Sequence, residues 1–261
     1  MEYDYKNIKI EKNAGVAIIT FNRPKVYNAL SSSMLKEINT VVDECNADKD
    51  VKILIFTGEG RAFVAGADIS QMKDYLPYQA INYLEEGHNI FRKIEALSKP
   101  SIAAVNGMAL GGGTEIALAC DLRFVSKKAT FGLPEITLGI IPGWGGTQRL
   151  SKIIGIGRAK EMILSGDTIS AQRAYEIGLA NRIISDELLL QETNDFAKKI
   201  ATHSTFAMKM AKDSINFGYG LCTEVASKLE NQCTSQCFST HDQKEGMQAF
   251  LEKRKATFIG Y

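Results

Sequence analysis

Residues Ala104–Phe124 read AVNGMALGGGTEIALACDLRF. A strand-like apolar run enters three consecutive glycines, Gly111–Gly113, and one carboxylate, Glu115, follows at the head of an apolar helix. Glycine lets a second segment or a ligand come close to the backbone, and the first turn of a helix presents N–H groups with no intrahelical acceptor. Bare backbone beside one acid is therefore the local feature to be explained.

Outward from this segment the elements alternate. GVAIITF (15–21) and DVKILIFTG (50–58) are β-rich runs, the second closed by glycine, and the stretch between them, RPKVYNALSSSMLKEINTVVDECN, opens with a turn and continues at helical spacing. KPSIAAVNG supplies a third strand, and LRFVS and ATFGL two short ones. Strands alternating with helices predict an α/β layer structure. Beyond about Gly155 the pattern reads as successive helices with few strand candidates. The expected organisation is an α/β core over residues 1–195 and a helical C-terminal region over 196–261.

Composition narrows the function. The 261 residues are 45% hydrophobic and 23% charged, enough for a large core, and the net charge of +1 without long Lys/Arg runs gives no electrostatic reason to expect nucleic acid or a membrane surface as partner. No apolar run reaches membrane-spanning length. Five cysteines without repeated spacing, and a start, MEYDYKNIKIEK, too polar for a signal peptide, lead to the expectation of a reducing cytoplasm. His88, His203 and His241 are scattered and form no zinc-binding pattern, so no metal site is expected. There is no G-x-S-x-G elbow and no phosphate-binding P-loop, and GIGRAK matches only the opening of a dinucleotide fingerprint.

Two glycine-rich turns and two acids remain. FVAGADIS (63–70) follows the strand ending at Gly58 and precedes a helix expected to begin near Asp68; LGGGTE repeats the arrangement. Two such turns could aim two N–H groups at one oxygen, as an oxyanion hole requires, or could simply allow close helix packing. Glu115 and Glu135 each suit a helix first turn, where a carboxylate complements the helix dipole. Both also lie in apolar sequence without adjacent Lys or Arg, where burial would raise a carboxyl pKa toward the range useful for proton transfer.

NRPKVYNAL, FVAGADISQM, AAVNGMALGGGTEIALACDLR, FGLPEITLGIIPGWGGTQRL and EGMQAFLEKRK, in this order from Asn22 to Lys255, resemble the enoyl-CoA hydratase (crotonase) family over nearly the whole chain. The resemblance implies a spiral of ββα units with a helical C-terminal subdomain, and a CoA thioester as substrate. It implies that the Ala65 and Gly112 N–H groups form the oxyanion hole, and that Glu115 and Glu135 add water to a trans-2-enoyl-CoA. Glu115 would activate the water and Glu135 would protonate C2. The substrate-binding set it implies is Lys25, Val26, Tyr27, Ala65, Gly66, Ala67, Asp68, Ile69 and Gly112, with no cofactor beyond the CoA of the substrate. A homotrimer or homohexamer joined through the C-terminal helices is also implied. The same fold hosts a Δ3-Δ2-enoyl-CoA isomerase and non-catalytic relatives; the presence of both glutamates favours the hydratase.

Two departures from the family pattern stand out. Leu133 occupies a position where many relatives have Gln, and Val26–Tyr27 replaces Ala-Leu. Tyr27 is expected either to stack on the adenine of CoA or to pack in the core or an interface.

Overall fold

The computed structural model describes residues 5–261, so the first four residues of the polar N-terminal segment lie outside it. The central apolar runs become strands whose side chains alternate between two covered faces. The strands are β1 (Ile8–Asn13), β2 (Val16–Phe21), β3 (Ile53–Gly58), β4 (Ala62–Val64), β5 (Ser101–Val105), β6 (Met108–Leu110), β7 (Leu122–Ser126), β8 (Thr130–Gly132), β9 (Thr168–Ser170) and β10 (Arg182–Ile184). The helices are α1 (Ser32–Ala47), α2 (Ile69–Met72), α3 (Pro77–Glu95), α4 (Gly112–Ala119), α5 (Gly146–Ile154), α6 (Ile156–Ser165), α7 (Ala171–Glu176), α8 (Leu189–Ile200), α9 (Thr205–Gly218), α10 (Thr223–Cys237) and α11 (His241–Leu251).

Two sheets result. One has the order β1-β2-β3-β5-β7-β10, parallel except for β1 at its edge; the other has the order β4-β6-β8-β9, parallel except for β9. The chain passes from β3 to β4, from β5 to β6 and from β7 to β8, crossing from the first sheet to the second each time before entering helix. This is the expected spiral of ββα units. Side-chain alternation divides the core: Ile53, Ile55, Ile102 and Ala104 face α8 and its Leu189 and Ala197. Leu54, Phe56, Ala103 and Val105 point the other way, into the larger core that holds α1, α3 and α4.

ATFGL supplies β8 as expected, whereas β4, β6 and β9 are not legible as strands, because each takes its order from its neighbour in the second sheet. The expected boundary at 195/196 falls within α8, which covers the first sheet and shares its apolar cluster. Beyond it, α9 and α10 bury only Met210 and Cys233, respectively, among their own residues. The tail is tied back by buried Asp242, whose carboxylate accepts the Ile259 and Gly260 N–H groups at 2.8 and 2.9 Å. Among the described residues no helix is long and apolar enough to cross a membrane.

Helix α4 lies directly against β4. A Cβ at Gly113 would fall 1.9 Å from the Val64 carbonyl oxygen, a backbone atom that cannot yield. Gly157, on the exposed side of α6, has nothing within 4 Å of the corresponding point. Gly113→Ala is therefore expected to lose at least ~2 kcal/mol of stability through overpacking. Gly157→Ala should be neutral or gain up to ~1 kcal/mol. Urea denaturation of both variants checks this, and equal effects would refute the close approach.

Candidate active site

The turn into α4 explains the triple glycine. Gly111 has φ +49° and ψ −122°, a conformation closed to side-chain-bearing residues, and a Cβ there would meet the Glu135 Oε1 at 2.8 Å. Its N–H donates to the Gly132 carbonyl at 2.9 Å, and the buried Thr114 hydroxyl lies 2.6 Å from the Ala109 carbonyl. The head of α4 is thus pinned to β6 and β8. Gly112 is the first residue of the helix, so its N–H has no carbonyl one turn back.

Glu115 follows one turn later and is 1% exposed. Its Oε1 accepts the Trp144 N–H at 2.7 Å and the Gly146 N–H at 2.8 Å. Burial pushes its carboxyl up to about 7; the two N–H groups oppose that rise and the nearby Glu135 adds to it. Glu135 sits in a short 3-10 helix, Pro134–Leu138, with proline at its start. Burial raises its pKa as well, and its Oε2 is buried without a hydrogen-bond partner among the described residues.

Facing α4 is the turn after β4. Gly66 takes φ +109°, with its Cβ position 3.4 Å from the Leu110 carbonyl, so the two glycine turns touch. NRPKVYNAL closes around the same turn. Leu30 N–H donates to Gly66 O at 2.8 Å, Asp68 N–H to Leu30 O at 2.9 Å, and Ala65 N–H to Tyr27 O at 3.0 Å. A ligand oxygen at Ala65 would share that N–H with the Tyr27 carbonyl. Arg23 pairs with Asp68 at 3.3 Å; the Ser70 hydroxyl, ahead of Arg23, holds the Asp68 carboxyl below its usual range. The anchor is Asn28, fully buried, whose Nδ2 donates to Ala62 O at 2.8 Å and whose Oδ1 accepts from Arg23 N–H at 2.8 Å.

A cavity of about 140 Å³ opens between these segments. Ala65, Gly66, Ala67, Ile69, Gly112, Glu115 and Glu135 line it together. Lys25, Val26 and Tyr27 do not; they lie exposed on the neighbouring turn, where Tyr27 adopts a left-handed conformation and is 47% exposed. The core alternative for Tyr27 is thereby corrected: the left-handed turn sends Asn28, not Tyr27, inward. Asp68 serves the turn itself rather than the cavity wall. Leu133 is fully buried. Sequence reading missed the apolar half of the cavity, including Met72, Tyr83, Leu84, Ile141 and Trp144. Their helical or loop spacing is that of any core residue, and only the lone tryptophan within a glycine-rich run offered a signal.

Two carboxyls with raised pKa, one partnered by N–H groups and one with an unpartnered oxygen, face a largely apolar cavity beside a helix N-terminus. That arrangement can polarise a carbonyl and move protons on both sides of the carbon adjacent to it.

The description enoyl-CoA hydratase/isomerase belongs to the family model that matches residues 11–260. A short-chain-enoyl-CoA hydratase of Clostridium acetobutylicum is 46% identical over 253 residues, covering 97% of each chain. A crotonyl-CoA hydratase of Syntrophomonas wolfei is 46% identical, covering 98% of each. The crystal structure of an enoyl-CoA hydratase from Bacillus anthracis superposes with a TM-score of 0.95 at 39% identity, over 98% of this chain and 100% of that one.

The raised Glu115 pKa has a measurable consequence. Between its ordinary value of 4.5 and about 7 the folded chain holds a proton that the unfolded chain has lost. Stability therefore falls as pH rises across that window and levels off above it. Glu115→Gln lacks this titration, so its stability relative to the native chain should rise from pH 4.5 to 7. Denaturant melts along a pH series test it; a constant difference would refute the burial of an ionisable carboxyl.

Proposed function

The chain belongs to the enoyl-CoA hydratase/isomerase family, and on that premise we propose that it catalyses reversible syn addition of water to a trans-2-enoyl-CoA. The product is a 3-hydroxyacyl-CoA, and short substrates such as crotonyl-CoA are favoured, in keeping with the relatives named for short-chain and crotonyl-CoA hydration. The enzyme is a hydro-lyase of fatty-acid metabolism. The observation that carries this reading is Glu115 and Glu135 lining one cavity at the head of α4.

The thioester oxygen accepts the Gly112 N–H and shares the Ala65 N–H with Tyr27. Each such donor contributes roughly 3 kcal/mol to stabilising charge that develops on the oxygen. Ionised Glu115, held by the Trp144 and Gly146 N–H groups, takes a proton from water as the water oxygen bonds to C3. The displaced electron pair passes to the thioester oxygen as an enolate and returns to C2, which takes the proton of Glu135. One C–O and one C–H bond form, and the proton gained by Glu115 returns to Glu135 through solvent. The balance calls for no metal and no redox cofactor. A pKa of about 7 leaves Glu115 partly ionised near neutrality, and burial raises the Glu135 pKa as well.

The exposed Lys25–Tyr27 turn abuts the cavity through the Tyr27–Ala65 bond and suits the nucleotide end of CoA, with Tyr27 stacking on adenine. A homotrimer or homohexamer is supported by the exposed apolar residues of the C-terminal helices, among them Ile215, Phe217, Phe250 and Leu251. Five free cysteines accord with a reducing cytoplasm.

Loss of the conjugated-thioester absorbance of crotonyl-CoA tests the activity; turnover of only a 3-enoyl-CoA would establish the isomerase instead, and no turnover a binding protein. Glu115→Gln should lower hydration by at least ~10²-fold while C2 proton exchange survives better, and Glu135→Gln should reverse that bias. The double variant should be little slower than the worse single one. Deuterium incorporation at C2 beside the hydration rate decides; equal losses of both activities in both single variants would overturn the division of labour. Light scattering should show a trimer or hexamer at micromolar concentration, and a clean monomer would remove the assembly proposal.

A further inference from the structure

The cavity has one polar half, built from the two glycine turns and the two acids, and one apolar half built where α3 meets the loop before α5. Trp144 occupies that junction and is 3% exposed. The Cζ3 edge of its indole lies over Gly112, where a Cβ would come within 2.7 Å, and its Nε1 edge lies over Gly87 of α3, where a Cβ would come within 2.1 Å. The ring therefore runs from the head of α4 across to α3. The same two segments interlock a second time. Leu84 of α3 sits over Gly143, with its Cδ2 2.4 Å from the Cβ position there. Each large side chain occupies the space left by a glycine opposite. Tyr83 and Phe91 hold the indole from the side at centroid distances of 5.2 and 5.5 Å.

The Trp144 Nε1 is buried without an acceptor among the described residues. A buried, unpaired donor is unfavourable, so the indole is placed here for its shape and not for its hydrogen bond. Its shape closes the cavity. About 140 Å³ is close to the volume of roughly 150 Å³ that accommodates one benzene in a protein interior, and so matches an acyl group of about four to six carbons.

We propose that Trp144, seated over Gly87, is the residue that limits acyl-chain length, by closing the apolar end of the cavity against α3. The proposal rests on the hydratase reading and deepens it. Removing the indole would join the cavity to the space above Gly87 and beside Phe91, and the enzyme would then accept chains that the native one excludes.

The experiment measures kcat/KM for 2-enoyl-CoA substrates of four, eight and twelve carbons with the native enzyme, Trp144→Phe and Trp144→Ala. The native enzyme should prefer four carbons to eight by at least ~10-fold, the scale on which pocket size discriminates. Trp144→Ala should raise the eight-to-four-carbon ratio by ~10-fold or more, and Trp144→Phe should move it less, in the same direction. A ratio unchanged in both variants, with activity falling by a common factor at every length, would make Trp144 a packing residue and overturn the proposal. Inhibition of the native enzyme by saturated acyl-CoAs gives a second reading that needs no variant. Each methylene that finds apolar room would tighten binding roughly four-fold, so octanoyl-CoA should gain little over hexanoyl-CoA. A continued gain to octanoyl-CoA would also overturn it. If the native enzyme hydrates no chain length, the hydratase reading itself has failed, a result distinct from either.

Discussion

The site depends on how closely α4 can approach β4. With the Val64 carbonyl occupying the place a side chain at position 113 would need, the head of the helix is fixed against the second sheet, and the N–H of Gly112 and the carboxyl of Glu115 are fixed with it. Gly111, in a conformation only glycine takes freely, brings the chain in at the required angle and leaves room for Glu135 beside it. The missing side chains at 111, 112 and 113 therefore serve three needs: the backbone bend, the Trp144 ring and the strand carbonyl.

Around that contact the protein holds two acids in different electrical surroundings. Glu115 is the more deeply buried, and two backbone N–H groups soften the cost of its charge. Glu135 borders the same cavity from a 3-10 turn and keeps one oxygen unpartnered. The same loop that steadies Glu115 through the backbone of Trp144 and Gly146 also carries the indole that forms the apolar wall. The N–H support of Glu115 and the apolar wall of the cavity thus come from one short segment, Gly143–Gly146, packed against α3 and α4.

The opposite wall is assembled by backbone pairing of two segments far apart in sequence. The turn around Asn28 is latched onto β4 and onto Ala65–Asp68 by main-chain bonds and by the Asn28 amide. Order in this exposed turn is coupled to the geometry of the Ala65 N–H through the Tyr27 carbonyl. The exposed Lys25–Tyr27 turn is thus mechanically continuous with the turn that lines the cavity.

By itself the sequence determined the alternation of apolar strands with helices, the helical character of its last third, and the two glycine turns with their acids. These features are local: side-chain period, a missing Cβ and a carboxyl in apolar surroundings are all written in neighbouring residues. The motifs also marked Ala65, Gly112, Glu115 and Glu135, which the fold brings to one cavity. The tertiary structure alone decided that β4, β6 and β9 exist, since three residues gain strand order only from a partner strand. It alone placed α8 on the first sheet, across the boundary expected at 195/196. It alone turned Asn28 inward and left Tyr27 at the surface. And it alone separated the apolar residues that line the cavity, Tyr83 and Trp144 among them, from the many that only fill the core. Helical spacing records that a side chain is buried; what lies opposite it, whether another side chain or space for a substrate, is set by segments distant in the chain.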